Sequence, residues 1–350
     1  MPAMKLSDFD FRLPDELIAQ TPSPQRGESR LLVLDRSTAT LEHASFGALP
    51  DYLRDYPLMV FNDTRVLPAK LEGTVDKQGR SIEILLVQKD GPGTWQVLMK
   101  DLKKYKPGQR LTFGDGNLHA EFVERKNDLA LIRFSSNQDL ADQLEKFGKM
   151  PLPHYIHRSP GDDAGIEQQD RERYQTVFAR HTGAIAAPTA GLHFTGEMFD
   201  QLKDCAEPVY LTLHVGPGTF QPVRVEDVRK HKMKEEYFNI PVETWNTILK
   251  AKNENRKIMA VGTTTTRVLE SVELNREEKS DVSGWTDRFI YPGQTFQNTD
   301  YLLTNFHLPK STLYMLVCAL AGPSLIQKAY REAVRERYRF FSYGDAMLIL

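Results

Sequence analysis

The sequence predicts an α/β domain interrupted by a small antiparallel β-barrel. Two patterns carry that prediction. Beyond residue 180 the chain repeats one grammar: an apolar run of strand length, a Gly/Thr-rich loop and usually a helix. Between residues 71 and 150 it becomes short strand-like runs roughly ten residues apart with turn signals between them, the spacing of a small barrel or sandwich. The predicted α/β domain is therefore discontinuous, residues 1–70 with 151–350, and the β-barrel insert is 71–150.

The elements follow in chain order. Residues 31–34 and 58–61 are apolar runs of strand length, the second ending at Asn62-Asp63-Thr64-Arg65. In the insert, strands are expected at 82–87, 95–99, 110–113, 119–123 and 129–134, with Asp90-Gly91-Pro92-Gly93, Lys106-Pro107-Gly108 and Gly114-Asp115-Gly116-Asn117 as turns. Residues 139–147 read as a helix with Leu140, Leu144 and Phe147 on one face, and 161–173 as a polar loop. Strands are then expected at 184–187, 211–215 and 258–261. Their loops are Pro188-Thr189-Ala190-Gly191, Gly216-Pro217-Gly218-Thr219 and Gly262 with Thr263 to Thr266. Helices start near Thr195 and carry Val268, Leu269 and Val272. Ser311 or Thr312 caps a helix over 313–320 that Gly322-Pro323 stops. Ser324 and Gln327 form a capping box for a last amphipathic helix.

The chain has 350 residues, 45 Lys and Arg against 47 Asp and Glu, and thus a formal net charge of −2. That balance disfavours a protein that coats nucleic acid indiscriminately. Local basic groups remain, at Lys100 to Arg110, Arg224 to Lys234 and Arg331 to Arg339; each such group is more often a solvated face than a binding site, and together they allow a directed phosphate contact. Cys205 and Cys318 form no CxxC pair, which excludes a disulfide framework and a thiolate zinc site and fits the cytoplasm. The apolar run at 313–321 is too short for the ~20 residues of a membrane span, and the start of the chain lacks a signal-peptide core.

No P-loop, dinucleotide fingerprint, nucleophile elbow or HExxH occurs. What remains is loop chemistry. Gly262 to Arg267 offers four hydroxyls at a helix start with Arg267 as counter-charge, the makings of an anion site or simply a Thr-capped turn. His214 to Phe220 ends a strand in two glycines, which admit a ligand close to backbone but also make an ordinary tight turn. His193, in Thr189 to Thr195, stands before a helix, where a neutral imidazole serves as general base or as a satisfied structural residue. Asn305, His307, Lys310 and Ser311 precede another helix, and Tyr343 and Asp345 lie near the end of the chain.

Taken together, these segments resemble a known family. PTAGLHFT, HVGPGTFQPVRVE, AVGTTTTRVLES, FIYPG, LLTNFHLPKSTLYMLV and YRFFSYGDAM, with FNDTRVLPA and MPLPHYI before them, are similar in order to the motifs of S-adenosylmethionine:tRNA ribosyltransferase-isomerases. The resemblance covers essentially the whole chain. Departures are small: Pro153-His154-Tyr155 where Pro-Pro-Tyr is usual, and Met233-Lys234-Glu235-Glu236 where Met-His-Ser-Glu is. It implies an α/β domain with an inserted barrel, and a place in queuosine biosynthesis. The implied reaction transfers and isomerises the ribosyl group of S-adenosylmethionine onto 7-aminomethyl-7-deazaguanine at the wobble position of tRNA. Epoxyqueuosine-tRNA, adenine and methionine are the implied products.

That chemistry requires a general base and a general acid and no metal. His193, His214 and His307 are the candidates, with Asp345 and Glu236 behind them. The co-substrate's carboxylate would suit Arg267 with the hydroxyls of Thr263 to Thr266, the glycine loop at Gly216 and Gly218 would admit its ribose, and Thr219 and Gly262 are expected on the co-substrate beside Thr263 and Thr264. Thr189, Gly191, Asn305, Lys310 and Ser311 are expected on the substrate, with Tyr291 and Tyr343 as stacking partners for a splayed base. The expected partner is the tRNA anticodon arm, and the expected state is a cytoplasmic monomer. The competing classes are a tRNA-binding module without catalysis and a phosphate-transfer enzyme or hydrolase with similar loops.

Overall fold

The computed structural model describes residues 4–75, 79–135, 140–158, 164–216, 218 and 222–350. Its main layer is a nine-stranded mixed sheet ordered β15-β13-β12-β3-β14-β16-β17-β1-β2. At its centre β12 (Glu207–Leu213), β3 (Leu58–Asn62), β14 (Ile258–Val261) and β16 (Tyr301–Asn305) run parallel. β17 (Ala346–Ile349) pairs antiparallel with β16 and parallel with β1 (Arg30–Asp35), and β2 (Thr40–Ser45) closes that edge. β13 (Glu236–Ile240) and β15 (Val282–Thr286) extend the other edge antiparallel. Every residue of β3, β14 and β17 is buried, because both sheet faces are covered. Strands so placed read as unbroken apolar runs rather than alternating ones.

The insert is a closed six-stranded barrel ordered β10-β7-β6-β5-β8-β9. Its strands are β5 (Lys70–Val75), β6 (Arg80–Gly91), β7 (Thr94–Met99), β8 (Gln109–Phe113), β9 (Leu118–Lys126) and β10 (Leu129–Ser135). Leu71, Ile84, Leu86, Val97, Leu111, Phe113 and Ile132 fill it as a core of its own. Closure pairs every strand on both sides, so no edge is left to aggregate. The parallel pair β4 (Thr64–Val66) and β11 (His181–Ala184) lies where the chain leaves the main sheet for the barrel and where it returns.

Several local expectations change. Residues 161–173 were expected as loop, but α2 (Ala164–Arg173) is a helix; 161–163 lie outside the described residues. It has no apolar stripe to betray it. Tertiary bonds hold it instead: Arg158 grips Asp170 through two nitrogens at 2.8 and 2.9 Å, and Arg173 donates to the Ser23 carbonyl at 2.9 Å. The helix expected over 139–147 is α1 (Leu140–Phe147), and Asp139 is outside the described residues. The strand expected at 184–187 is instead β11, which ends at Ala184. The last helix, α7 (Pro323–Arg335), starts at Pro323 with Gly322 as its N-cap, so Ser324 and Gln327 form no capping box. Proline at the first helical position, its fixed φ pre-set for a helix, decides that start. α3 (Gly196–Leu202) and α6 (Thr312–Ala321) begin as expected: the hydroxyl oxygens of Thr195 and Ser311 accept from the Met198 and Tyr314 amides at 3.3 and 3.1 Å. α4 is Val242–Asn253, and α5 (Thr263–Leu269) stops before Val272.

Candidate active site

Four loops leave the carboxyl ends of the four parallel strands side by side. In open α/β sheets that edge is where ligands bind. β12 runs into His214-Val215-Gly216, β3 into Asp63, β14 into Gly262-Thr263-Thr264, and β16 ends in Asn305 before Phe306 and His307. With Thr189 and Ser342, the loops after β12, β14 and β16 wall a cavity of about 40 Å³. Segments far apart in sequence meet there because the parallel topology puts all four strand ends on one side. Two backbone positions at its wall have positive φ. Gly262 sits at φ 93°, ψ 151°, a conformation essentially reserved for glycine. Phe341 holds φ 76°, rare for a bulky side chain.

The structure sorts the hydroxyls of Thr263 to Thr266. Thr265 Oγ1 donates back to the Val261 carbonyl at 2.8 Å and Thr266 Oγ1 to that of Gly262 at 3.2 Å. Only Thr263 and Thr264 line the cavity, and Thr264 Oγ1 accepts from Asn62 Nδ2 at 3.3 Å. The expected ring of four hydroxyls is therefore a pair.

Arg267 is the larger revision. Its side chain is 2% exposed and forms an ion pair with Glu236, itself 2% exposed. Arg267 Nε donates to the Arg288 carbonyl at 2.9 Å and Nη2 to that of Thr286 at 3.4 Å. Glu236 Oε1 in turn accepts the Gly216 amide at 2.8 Å. The guanidinium expected to meet a ligand carboxylate is thus a buried strut tying α5 to β13 and β15 and, through Glu236, fixing the 214–216 loop.

The three histidines separate. His193 is buried with both ring nitrogens engaged: Nδ1 lies 2.6 Å from Ser29 Oγ and Nε2 3.2 Å from Asn305 Nδ2. Asn305 Nδ2 also donates to the Phe341 carbonyl at 3.0 Å, which fixes the amide's orientation. His193 Nε2 must then accept, so the ring proton sits on Nδ1 and goes to Ser29. Burial lowers the His193 pKa to about 4. It is a neutral orienting residue and lacks a free nitrogen to act as a base. His307 lines the cavity, Nε2 bonded to Thr304 Oγ1 at 2.9 Å, and burial lowers its pKa to about 3. His214 bonds Thr64 Oγ1 through Nδ1 at 2.8 Å. Burial first and then His181 lower its pKa. Gly183 passes beneath that ring, where an added Cβ would meet three of its atoms at 2.7–2.8 Å.

His214 borders a second, larger cavity of about 990 Å³ between the barrel and this end of the sheet. Gly216 and Gly218 line it, and Val215 borders both cavities. The barrel supplies Lys89, Trp95 and Gln96, and the sheet side supplies Lys234, Tyr237 and Trp285. Trp285, 55% exposed, meets Tyr237 edge-on at 5.6 Å, and Tyr237 stacks on His214 at 5.9 Å. Sequence reasoning missed this aromatic file, because Trp285 lies on an edge strand with no motif around it.

The other expected site residues fall elsewhere. Asp345 accepts the backbone amides of Arg30 and Arg339 at 2.9 and 2.8 Å; burial raises its pKa, and it clamps β1 to the turn before β17. Tyr343 is buried and donates to Asp170 at 3.0 Å, so it has no face for a base. Lys310 is half-exposed and pairs with Asp10 at 2.7 Å. Ser311 is spent on capping α6. Tyr291 packs against Phe289 at 5.3 Å and lines neither cavity. At Gly191 an added Cβ would meet Phe178 at 2.7 Å, which makes it a packing glycine. Thr219 lies outside the described residues.

Comparison with known proteins agrees with this architecture. Residues 6–349 match the family described as Queuosine biosynthesis protein. The S-adenosylmethionine:tRNA ribosyltransferase-isomerase of Halothermothrix orenii is 46% identical over 350 residues, covering 99% of this chain and 100% of the relative. That of Symbiobacterium thermophilum is 48% identical over 349 residues, with the same coverage. The crystal structure of S-adenosylmethionine tRNA ribosyltransferase from Thermotoga maritima aligns over 98% of this chain and 100% of its own. It is 35% identical, with a TM-score of 0.54.

Proposed function

The chain belongs to the queuosine biosynthesis protein family, and on that premise we propose how it performs a tRNA ribosyltransferase-isomerase reaction. The ribosyl group comes from S-adenosylmethionine, and the acceptor is 7-aminomethyl-7-deazaguanine at the wobble position of tRNA. Epoxyqueuosine-tRNA, adenine and methionine leave. The observation that supports this reading best is the meeting of the matched segments around Thr189, Gly262, Asn305 and Ser342 on one small cavity beside a larger one.

The two cavities divide the work. S-adenosylmethionine occupies the small cavity and the gap at Val215. The anticodon loop enters between barrel and sheet, where Lys89 and Lys234 meet phosphates and Trp285 and Tyr237 stack on unpaired bases. His307 and His214 are the acid–base candidates that remain. Burial keeps both neutral, the form able to take a proton from the carbon beside the sulfonium or from the acceptor's ammonium. Once protonated, either can return a proton to departing adenine. Glu236 and Arg267 hold the loop that carries His214. Among the described residues no helix is long and apolar enough to cross a membrane. We place the enzyme in the cytoplasm as a monomer whose barrel insert is residues 71–150. Incubation with S-adenosylmethionine and tRNA bearing the deazaguanine tests the reading. Free adenine without methyl transfer is expected, and tRNA binding without adenine release overturns it.

A further inference from the structure

Asn305 carries an unmet hydrogen-bonding demand. Its side chain is 2% exposed and lines the small cavity. Both amide hydrogens are assigned, one to the Phe341 carbonyl at 3.0 Å and one to His193 Nε2 at 3.2 Å. Its Oδ1 is buried with no partner. A buried carbonyl oxygen left unpaired is costly and rare in folded proteins. Flipping the amide gives no relief, since Oδ1 would then face the Phe341 carbonyl, acceptor against acceptor. The amide is therefore locked with an acceptor unused.

The rest of the wall narrows the chemistry of what completes it. Among the described residues lining the cavity there is no Lys, Arg, Asp or Glu. His307 is kept neutral by burial. An anion finds no counter-charge there and an ammonium finds no carboxylate. Thr189 and Thr263 bring hydroxyls that can give or accept, as do Thr264 and Ser342, whose hydroxyls also bond Asn62 and Tyr155. A lining of neutral, two-way groups around one fixed acceptor matches an uncharged hydroxylated group. About 40 Å³ holds the edge of a sugar and not a whole nucleoside.

We propose that Asn305 Oδ1 accepts a hydrogen bond from a ribose hydroxyl of the nucleoside substrate, and that His193, backed by Ser29, is the positioning residue that keeps this oxygen turned to it. The inference rests on the reading of S-adenosylmethionine as substrate. It moves the carboxylate of that molecule out of the threonine loop, leaving the sugar there. His193 works in its neutral form: only a ring nitrogen with a free lone pair can receive the Asn305 N–H.

Equilibrium binding of S-adenosylmethionine and of its 2′-deoxy and 3′-deoxy analogues tests the inference. Wild-type protein is expected to bind the parent about tenfold more tightly than one of the two analogues, the size of one lost hydrogen bond to a buried acceptor. In Asn305→Ala that ratio falls to about one. His193→Leu, which offers no acceptor, loses the ratio too, whereas His193→Gln, whose side-chain oxygen can accept the same N–H, keeps it. This rescue decides the matter if Asn305→Ala does not fold, because a purely structural histidine would not tie sugar selectivity to an acceptor atom. Wild-type binding of the parent with no preference over either analogue, or an unchanged ratio in His193→Leu, overturns the inference alone. Wild-type protein that binds none of the three overturns the functional reading as well.

Discussion

Replacing Arg267 with Ala separates a strut from a ligand clamp. In the native fold Arg267 and Glu236 are each 2% exposed and face one another, with the Arg288 and Thr286 carbonyls taking further guanidinium hydrogens. Removing the arginine takes the buried Glu236 carboxylate's ion-pair partner away, which costs about 3–5 kcal/mol. Unfolding entropy near 2.1 cal/mol/K per residue makes about 0.7 kcal/mol/K for a chain of this length, so Tm should fall by roughly 4–7 °C. The loss should shrink in the double variant Arg267→Met with Glu236→Leu, where no charge is stranded. Scanning calorimetry of Arg267→Met, Glu236→Leu, the double variant and the wild type closes the cycle. Activity should fall through kcat as the Gly216 loop loosens, with KM for S-adenosylmethionine less affected. An unchanged Tm in Arg267→Ala with a tenfold rise in that KM would refute the reasoning and return Arg267 to the co-substrate.

Three further outcomes are expected. His193 has a folded pKa of about 4 against an ordinary 6.5, so it contributes stability that is full above pH 6.5 and is lost as the pH falls toward 4. His193→Gln should flatten that part of the acid-unfolding curve, by about 3 kcal/mol at pH 4, and an unaltered curve would contradict the buried neutral ring. Gly262→Ala forces a side chain into φ 93° and should cost about 1–3 kcal/mol together with most activity; a variant as stable as wild type would contradict the backbone geometry. Trp285→Ala should weaken tRNA binding by about tenfold, the worth of one stacked base, and leave S-adenosylmethionine binding alone. Equal effects on both ligands would place Trp285 outside the RNA path.

Much of this molecule was legible along the chain, for identifiable reasons. β3 and β14 are apolar throughout because both faces of the sheet are covered, and such runs announce themselves. The barrel strands carry turn signals on either side. Thr195 and Ser311 cap helices by contacts within three residues, so local sequence reveals them. α2 was hidden because its partners lie in other segments: Arg158 on Asp170, and the Ser23 carbonyl on Arg173. β13 and β15 were missed for a related cause, since strands toward the sheet edge with one half-exposed face lack a continuous apolar run.

For the site, the sequence by itself determined which loops concentrate glycine, threonine, asparagine and histidine, the residue types that bring backbone and neutral donors close to a ligand. Thr189, Gly262, Thr263, Thr264, Asn305 and His307 do border one cavity. Only the tertiary structure decided the roles within that set. Arg267 and Asp345 look the same in sequence whether they meet a ligand or their own backbone. Three histidines in similar loops differ only in which nitrogen is already taken. Charge and hydrogen-bonding capacity are properties of the residue; whether they are spent or free is a property of what long-range folding sets beside it.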